Sequence, residues 1–349
     1  MPELPEVESA RSMLERCCKG IKIRKAVLKE QGGGPRTGKF DDIIVDDDVP
    51  MQTLKKALEG RTFVEICRKG KQLYFIHDKP PHSLWHFGMT GFFYVEGDVP
   101  PAYKRFSPDL ATWPPRFCKV ELQFENGVKL AFCDPRRLGR IKLRDDPLVQ
   151  DPLSLLAPDP VLSPLPFETF LEKMRKITAP VKAVLLDQNR IVCGVGNWIA
   201  DEVCFQAKIH PSAPCNTLSD CQLKLLLECI GNVCRSAVEV DAQSDKFPSG
   251  WLFHYRWNKG AGPTKMPDGK RIHFETVGGR TTAIVEGVQR MGELKSVSST
   301  SNKKKEKESC QRKRSKNKQE AKSPSGCINR TKTGKRKAVK TDKSKSQRK

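Results

Sequence analysis

Apolar residues recur every three or four positions near the start of the chain, at Val7, Ala10, Met13, Leu14 and Cys17. That spacing puts them on one face of a helix. Pro5 is preset for the first turn and Gly20 supplies a stop. The period then shortens to two over residues 21–28, and strand-like runs follow over 62–67, 72–76, 91–96, 117–124, 128–133 and 140–143. Asn126-Gly127 joins the fourth and fifth of these later runs, a strong hairpin signal. Residues 30–50 contain Gly32-Gly33-Gly34-Pro35 and Asp46-Asp47-Asp48, and read as a flexible loop whose acids suit solvent better than a metal. This half predicts a two-layered antiparallel β-sandwich with a helix at its start.

The pattern changes after six prolines between residues 145 and 166, which mark a linker. Helical periodicity follows over 167–176, 181–188, 197–208 and 218–241. Trp251, Phe253, Tyr255 and Trp257 then occupy every second position and predict a strand with one aromatic face. Asp268-Gly269 marks a turn before a return strand over 272–276. The expected class is α+β, with boundaries at 1–150, 151–245, 246–290 and 291–349. No repeat period is visible.

Charge sharpens this division. The net charge is +22 over 349 residues, but residues 301–349 hold 20 Lys/Arg against four acids, a net +16 that leaves +6 for residues 1–300. The tail has no Phe, Trp or Tyr, so it cannot bury enough surface to offset chain entropy, and disorder is expected. A block this basic reads as a polyanion-binding arm. Lys303-Lys304-Lys305, Arg312-Lys313-Arg314 and Lys335-Arg336-Lys337 also fit nuclear import signals. No apolar run approaches the roughly 18 residues that cross a bilayer, and no signal peptide is expected. Thirteen cysteines at irregular spacing, with no C-x-x-C, argue for reduced thiols. Cys215, Cys221, Cys229 and Cys234 suit buried helix faces better than a zinc knuckle.

The candidate chemistry sits at the front. Methionine ahead of a small residue is normally trimmed, which would leave Pro2 as a free secondary amine beside Glu3. A terminal amine has a reference pKa of roughly 8, so an appreciable neutral fraction exists near neutrality. Neutral amine attacks an aldehyde-like carbon to form an imine, and an adjacent carboxyl can carry the proton that moves. The plain alternative is a solvated start.

Five separated segments decide between these. Pro2-Glu3-Leu4-Pro5-Glu6-Val7-Glu8, Arg68-Lys69-Gly70-Lys71, His86-Phe87-Gly88-Met89-Thr90-Gly91, Asp134-Pro135-Arg136-Arg137-Leu138-Gly139 and Leu186-Asp187-Gln188 with Gly194-Val195-Gly196-Asn197 together resemble the formamidopyrimidine-DNA glycosylase family, from residue 2 to about 288. The region from Trp251 to Ala283 resembles the family's zincless branch of plants and fungi. The resemblance implies a catalytic sandwich domain, a helix-two-turns-helix domain and a zincless β-hairpin finger. It also implies a monomer without cofactor that acts on double-stranded DNA carrying oxidised bases or abasic sites.

Residue by residue, the resemblance makes Pro2 the nucleophile and Glu3 the acid, with Glu6 in a direct or capping role. Lys71 would hold a phosphate or touch the extruded base. His86, Asn197 and Arg280 would grip phosphates, with core packing, helix packing and an ordinary turn as their respective alternatives. Met89 and Arg136 match two of the three residues that fill the space left by an extruded nucleotide. Leu138 stands where the family has Phe, keeping an apolar wedge but losing base stacking worth roughly 1–3 kcal/mol. No cysteine lies between Cys234 and Cys310, so a four-cysteine zinc site in the finger is excluded. Two other functions stay open: a non-catalytic DNA-binding protein on the same scaffold, and a glycosylase preferring oxidised pyrimidines. Residues 241–250 are short where some relatives carry a lesion-reading loop, so intact 8-oxoguanine is expected to be a poor substrate.

Overall fold

The computed structural model describes residues 2–98, 112–257 and 264–292. Met1 and the basic tail, with its import-like runs, lie outside the described residues. Helix α1 (Leu4–Cys18) forms where the apolar spacing places it, and its buried face is divided between two cores. Leu4 packs in a helical core, whereas Val7, Ala10, Met13 and Leu14 pack in the sandwich. One helix thus joins both halves of the molecule.

The chain continues through β1 (Ile23–Val27), α2 (Met51–Leu58), β2 (Phe63–Lys69), β3 (Gln72–His77) and β4 (His82–His86). It then forms β5 (Phe92–Val95), β6 (Cys118–Phe124), β7 (Lys129–Cys133) and β8 (Arg140–Arg144). Two antiparallel four-stranded sheets result, ordered β1-β6-β7-β5 and β2-β3-β4-β8. Inward aromatics close the sandwich: Trp85 meets Phe93 at 5.1 Å and Phe132 at 5.2 Å between ring centroids, and Phe63 meets Phe124 at 5.7 Å. Each such buried ring stabilises the layers by about 2 kcal/mol. Gly127 takes φ +87° in the Asn-Gly turn between β6 and β7.

In this half α2 and β4 were not expected from sequence, nor, later in the chain, were the strands Thr264–Lys265 and Arg280–Val285. The loop over residues 30–50 also differs from expectation, because it is pinned to the sheet. Glu30 and Asp41 are buried and share the Lys119 ammonium, while Arg137 forks onto Asp41 at 2.8 and 2.9 Å. Asp46 pairs with Arg140 and Lys142 at 3.1 Å each, and Asp47 with Arg144 at 2.8 Å. Asp46 and Asp47 thus pair with a basic strand, while Asp47 and Asp48 remain exposed to solvent as expected.

The proline-rich segment 145–166 has no helix or strand and leads into α3 (Phe167–Arg175), α4 (Val181–Leu186), α5 (Asn197–Gln206) and α6 (Asp220–Glu239). Ser219 and Gln222 form a reciprocal capping box at the start of α6. The expected aromatic strand at residues 251–257 is instead a 3-10 turn, Leu252–His254. The Phe253 amide donates to Glu202 Oε2 (2.9 Å), a side chain of α5, instead of to a neighbouring strand. Trp251 and Phe253 enter the helical core beside Trp198 and Phe247, whereas Leu252 enters a separate core with Met266, Ile272 and Ala283. Over residues 251–253 this clamp between two cores puts apolar groups on alternating sides, as a strand would, whereas Tyr255 packs with Leu252 in the separate core. The finger follows as β9 (Thr264–Lys265), β10 (Arg271–Val277) and β11 (Arg280–Val285), ordered β11-β10-β9.

Candidate active site

Glu3 directly precedes α1, yet its carboxylate serves α5. Oε2 accepts N–H bonds from Gly196 (2.8 Å) and Ile199 (3.1 Å), and Oε1 accepts one from Trp198 (2.9 Å). These amides have no partner within their own helix, so the acid caps a helix 193 residues further along the chain. A backbone bond from Leu4 N to Gly194 O (3.1 Å) sews the two segments together. The glycines have steric reasons: Gly194 takes φ +87°, and a Cβ at Gly196 would lie 2.2 Å from the Glu3 carboxyl carbon. Burial raises the Glu3 pKa, opposed by the Lys71 charge and by the Trp198 and Ile199 amides. Pro2 is buried immediately before this acid.

Glu6 lies behind Glu3. Its Oε2 accepts the Glu3 N–H (2.9 Å) and its Oε1 accepts the Trp198 indole N–H (3.1 Å), so it caps α1. Burial, and then the charge of Glu3, push its pKa up to about 7.

Lys71 sits in the turn between β2 and β3 and is buried rather than a surface cation. The turn is held from outside, by the proline-rich segment. Asp159 accepts bonds from the Gly70 N–H (2.8 Å) and from Arg68 Nη1 (2.5 Å). Burial lowers the Lys71 pKa, opposed by Glu3 and Glu6. His86 ends β4, opposite Gln72. Its Nδ1 accepts the Gly88 N–H (3.1 Å), which puts the proton of the neutral ring on Nε2 as a donor. Burial, with Lys71 and Arg140 nearby, lowers its pKa to about 4.

Met89, Arg136 and Leu138 come from two loops braced by one buried carboxylate. Asp134 Oδ1 accepts the Thr90 hydroxyl (2.9 Å) and the Arg136 N–H (3.2 Å), and Oδ2 accepts the Gly139 N–H (2.7 Å). Gly88 carries φ +59° and lies so close to the Leu138 carbonyl that a Cβ would overlap it. Leu138 itself is 39% exposed, an apolar side chain presented to solvent. Asn197 opens α5 and spends one side-chain N–H on the Thr281 carbonyl (3.0 Å). Arg280 is exposed at the first position of β11, after a turn in which Gly278 and Gly279 both take positive φ.

These pieces meet in one cleft of about 620 Å³, whose walls include Glu3, Lys71, His86, Met89, Arg136, Asn197 and Arg280. An acid at its floor and a ring of cations and N–H donors around it suit a phosphate-bearing ligand. Known family models match two long stretches of the chain. The formamidopyrimidine-DNA glycosylase N-terminal domain matches residues 1–141 and the H2TH domain of the same enzymes matches residues 156–249. A formamidopyrimidine-DNA glycosylase of Arabidopsis thaliana is 40% identical over 293 residues, covering 83% of this chain and 71% of the relative. The chain belongs to the formamidopyrimidine-DNA glycosylase family.

A Thermus thermophilus family member is 30% identical over 294 residues, covering 81% of this chain and 96% of the relative. The Lactococcus lactis glycosylase solved on DNA containing an abasic site superposes with a TM-score of 0.65 at 26% identity, covering 82% of this chain and 99% of that one. A MutM complex with DNA containing carbocyclic 8-oxo-G superposes with a TM-score of 0.64, also at 26% identity, covering 83% of this chain and 100% of that one.

Pro2, Glu6 and Leu138, also expected at the site, are not among the walls of this cleft. Asp134, Asp159, Asp201, Trp198 and Arg256 were not anticipated, although the last two also line the walls. His210, His273 and Glu275 gather potential metal-ligand atoms within 4.8 Å of one another. Internal bonds account for that grouping: His210 Nδ1 accepts the Ser212 N–H (3.2 Å), and His273 Nε2 faces Glu275 Oε1 (3.2 Å). Among the described residues, no helix is long and apolar enough to cross a membrane.

Proposed function

We propose that this protein is a DNA glycosylase and abasic-site lyase of base excision repair, acting on oxidised, ring-opened purines in duplex DNA. The observation that carries the reading is the Glu3 carboxyl, buried in the cleft next to Pro2 and held by three backbone N–H groups. DNA binding alone needs neither a buried acid nor an amine beside it. Pro2 nitrogen attacks C1′ of the damaged nucleotide, and the glycosidic bond breaks with its electron pair leaving on the base. Glu3, whose burial favours the protonated form, gives its proton to the ring oxygen. The C1′–O4′ bond breaks with its electron pair going to that oxygen, the Pro2 N–H proton passes to the departing base, and the opened sugar is left as an iminium bonded to Pro2.

Electron withdrawal into that iminium acidifies C2′. Loss of a C2′ proton expels the 3′ phosphate, and a second elimination expels the 5′ phosphate. Lys71, His86, Asn197 and Arg280 hold phosphates during these steps, while Met89, Arg136 and Leu138 occupy the vacated space in the duplex. The import-like runs of the tail support a nuclear location.

Borohydride reduction of the protein mixed with an abasic duplex tests this. The expected result is a covalent adduct mapped by mass spectrometry to Pro2, together with release of formamidopyrimidine bases from a damaged-base panel. Full-speed strand nicking by protein that retains Met1 would sink the mechanism.

A further inference from the structure

Asp201 of α5 is fully buried and binds two cations at once. Its Oδ1 accepts from Lys182 Nζ (2.6 Å), and its Oδ2 from Arg256 Nη2 (2.6 Å), Arg256 Nε (3.1 Å) and the Ala283 amide of β11 (3.2 Å). Lys182, also fully buried, donates onward to the Thr282 hydroxyl (2.6 Å) and the Thr281 carbonyl (3.3 Å). The Thr282 hydroxyl in turn donates to the Arg280 carbonyl (3.1 Å). Asn197 Nδ2 holds the same Thr281 carbonyl from the other helix end (3.0 Å). The Gly278-Gly279 tip rests on α4, where a Cβ at Gly278 would lie 3.0 Å from Ala183 Cα.

The bonds diverge from Lys182, which donates to Asp201 on one side and to the Thr282 hydroxyl on the other, and Thr282 carries the connection on to the backbone of Arg280. We propose that Asp201 and Thr282 are positioning residues, through which a buried ion cluster locks the finger to α5 and holds Arg280 over the cleft. The cluster does by charge what small hairpins otherwise obtain from a metal or a disulfide. Its three charged groups are worth little as a surface feature, but buried and fully bonded they fix one geometry. Arg280 itself is exposed, so the anchorage of its backbone fixes where its side chain leaves the hairpin. The inference rests on the glycosylase reading above, because it takes a lesion-flanking phosphate as the partner of Arg280.

The experiment uses the full chain and an abasic duplex, with Thr282→Val as the main variant because it removes the hydroxyl that joins Lys182 to the Arg280 carbonyl while Lys182 stays paired with Asp201. Asp201→Asn serves as a second variant, accompanied by a melting curve. Thr282→Val should raise KM by about tenfold. The single-turnover rate of borohydride trapping at saturating DNA should change by less than about threefold. The slope of log affinity against log salt should fall by about 0.9, the loss of one phosphate contact. Adding Arg280→Ala to Thr282→Val should cost little more, since the two act as one unit. Wild-type affinity and salt slope in Thr282→Val, or full additivity with Arg280→Ala, would overturn the inference. Failure of the wild-type protein to bind or trap abasic DNA would instead overturn the glycosylase reading.

Discussion

At the scale of single residues, the most informative group is Glu6, because its protonation responds to folding. Its pKa rises from an ordinary 4.5 to about 7 through burial and the Glu3 charge. Between those values the unfolded chain has released the proton while the folded chain keeps it. The stability it contributes is therefore whole below 4.5, declines as pH climbs through the window, and levels off above about 7. Glu6→Gln removes this titration. Relative to wild type, the variant should gain up to about 3 kcal/mol between pH 5 and pH 8 in urea unfolding. A difference that is constant across that range would show that the carboxyl is ionised throughout. The meeting of Glu3, Lys71, His86 and Arg280 in one cleft was expected, because the sequence assigns each a chemical role. Asp134, Asp159 and Asp201 were not, because a carboxylate that organises a buried network looks in sequence like any solvated acid.

At the scale of elements, the proline-rich segment 145–166 acts as a strut. Its Asp159 neutralises Arg68, fully buried at the side chain, and caps the turn that carries Lys71. Asp159→Ala leaves that guanidinium short of a partner, so a loss of about 3–5 kcal/mol is expected. Thermal melting measures it, and a loss below about 1 kcal/mol would mean that Glu8 alone suffices for Arg68. The helices and most strands were readable because one face of each is apolar at its own period. Strand β4 was missed because His82 and His86 bracket only three buried positions. Helix α2 was missed because its eight residues bury only Leu54, Ala57 and Leu58. The turn Leu252–His254 was misread because serving two cores and lying in a sheet give the same alternation.

At the scale of the whole molecule, charge is concentrated where sequence alone can see it, with a net +16 in residues 301–349. Each phosphate that such an arm neutralises adds about 0.9 to the slope of log affinity against log salt. A version ending at residue 292 should therefore bind undamaged duplex more weakly and with a shallower slope than the full chain. Equal slopes would rule out tail contacts with DNA. No sequence pattern, by contrast, announces how the two halves are joined, since the contact pairs residue 3 with residues 196–199. That contact makes a single carboxyl the keystone between sandwich and helices and, on the proposed mechanism, the proton source as well. Neither half could be reactive by itself, and a molecule prised apart at this seam would hydrate its acid and drop it back toward an ordinary pKa. If the proposed chemistry holds, it is conditional on closure, and a loosened protein falls silent before it can cut a strand at the wrong place.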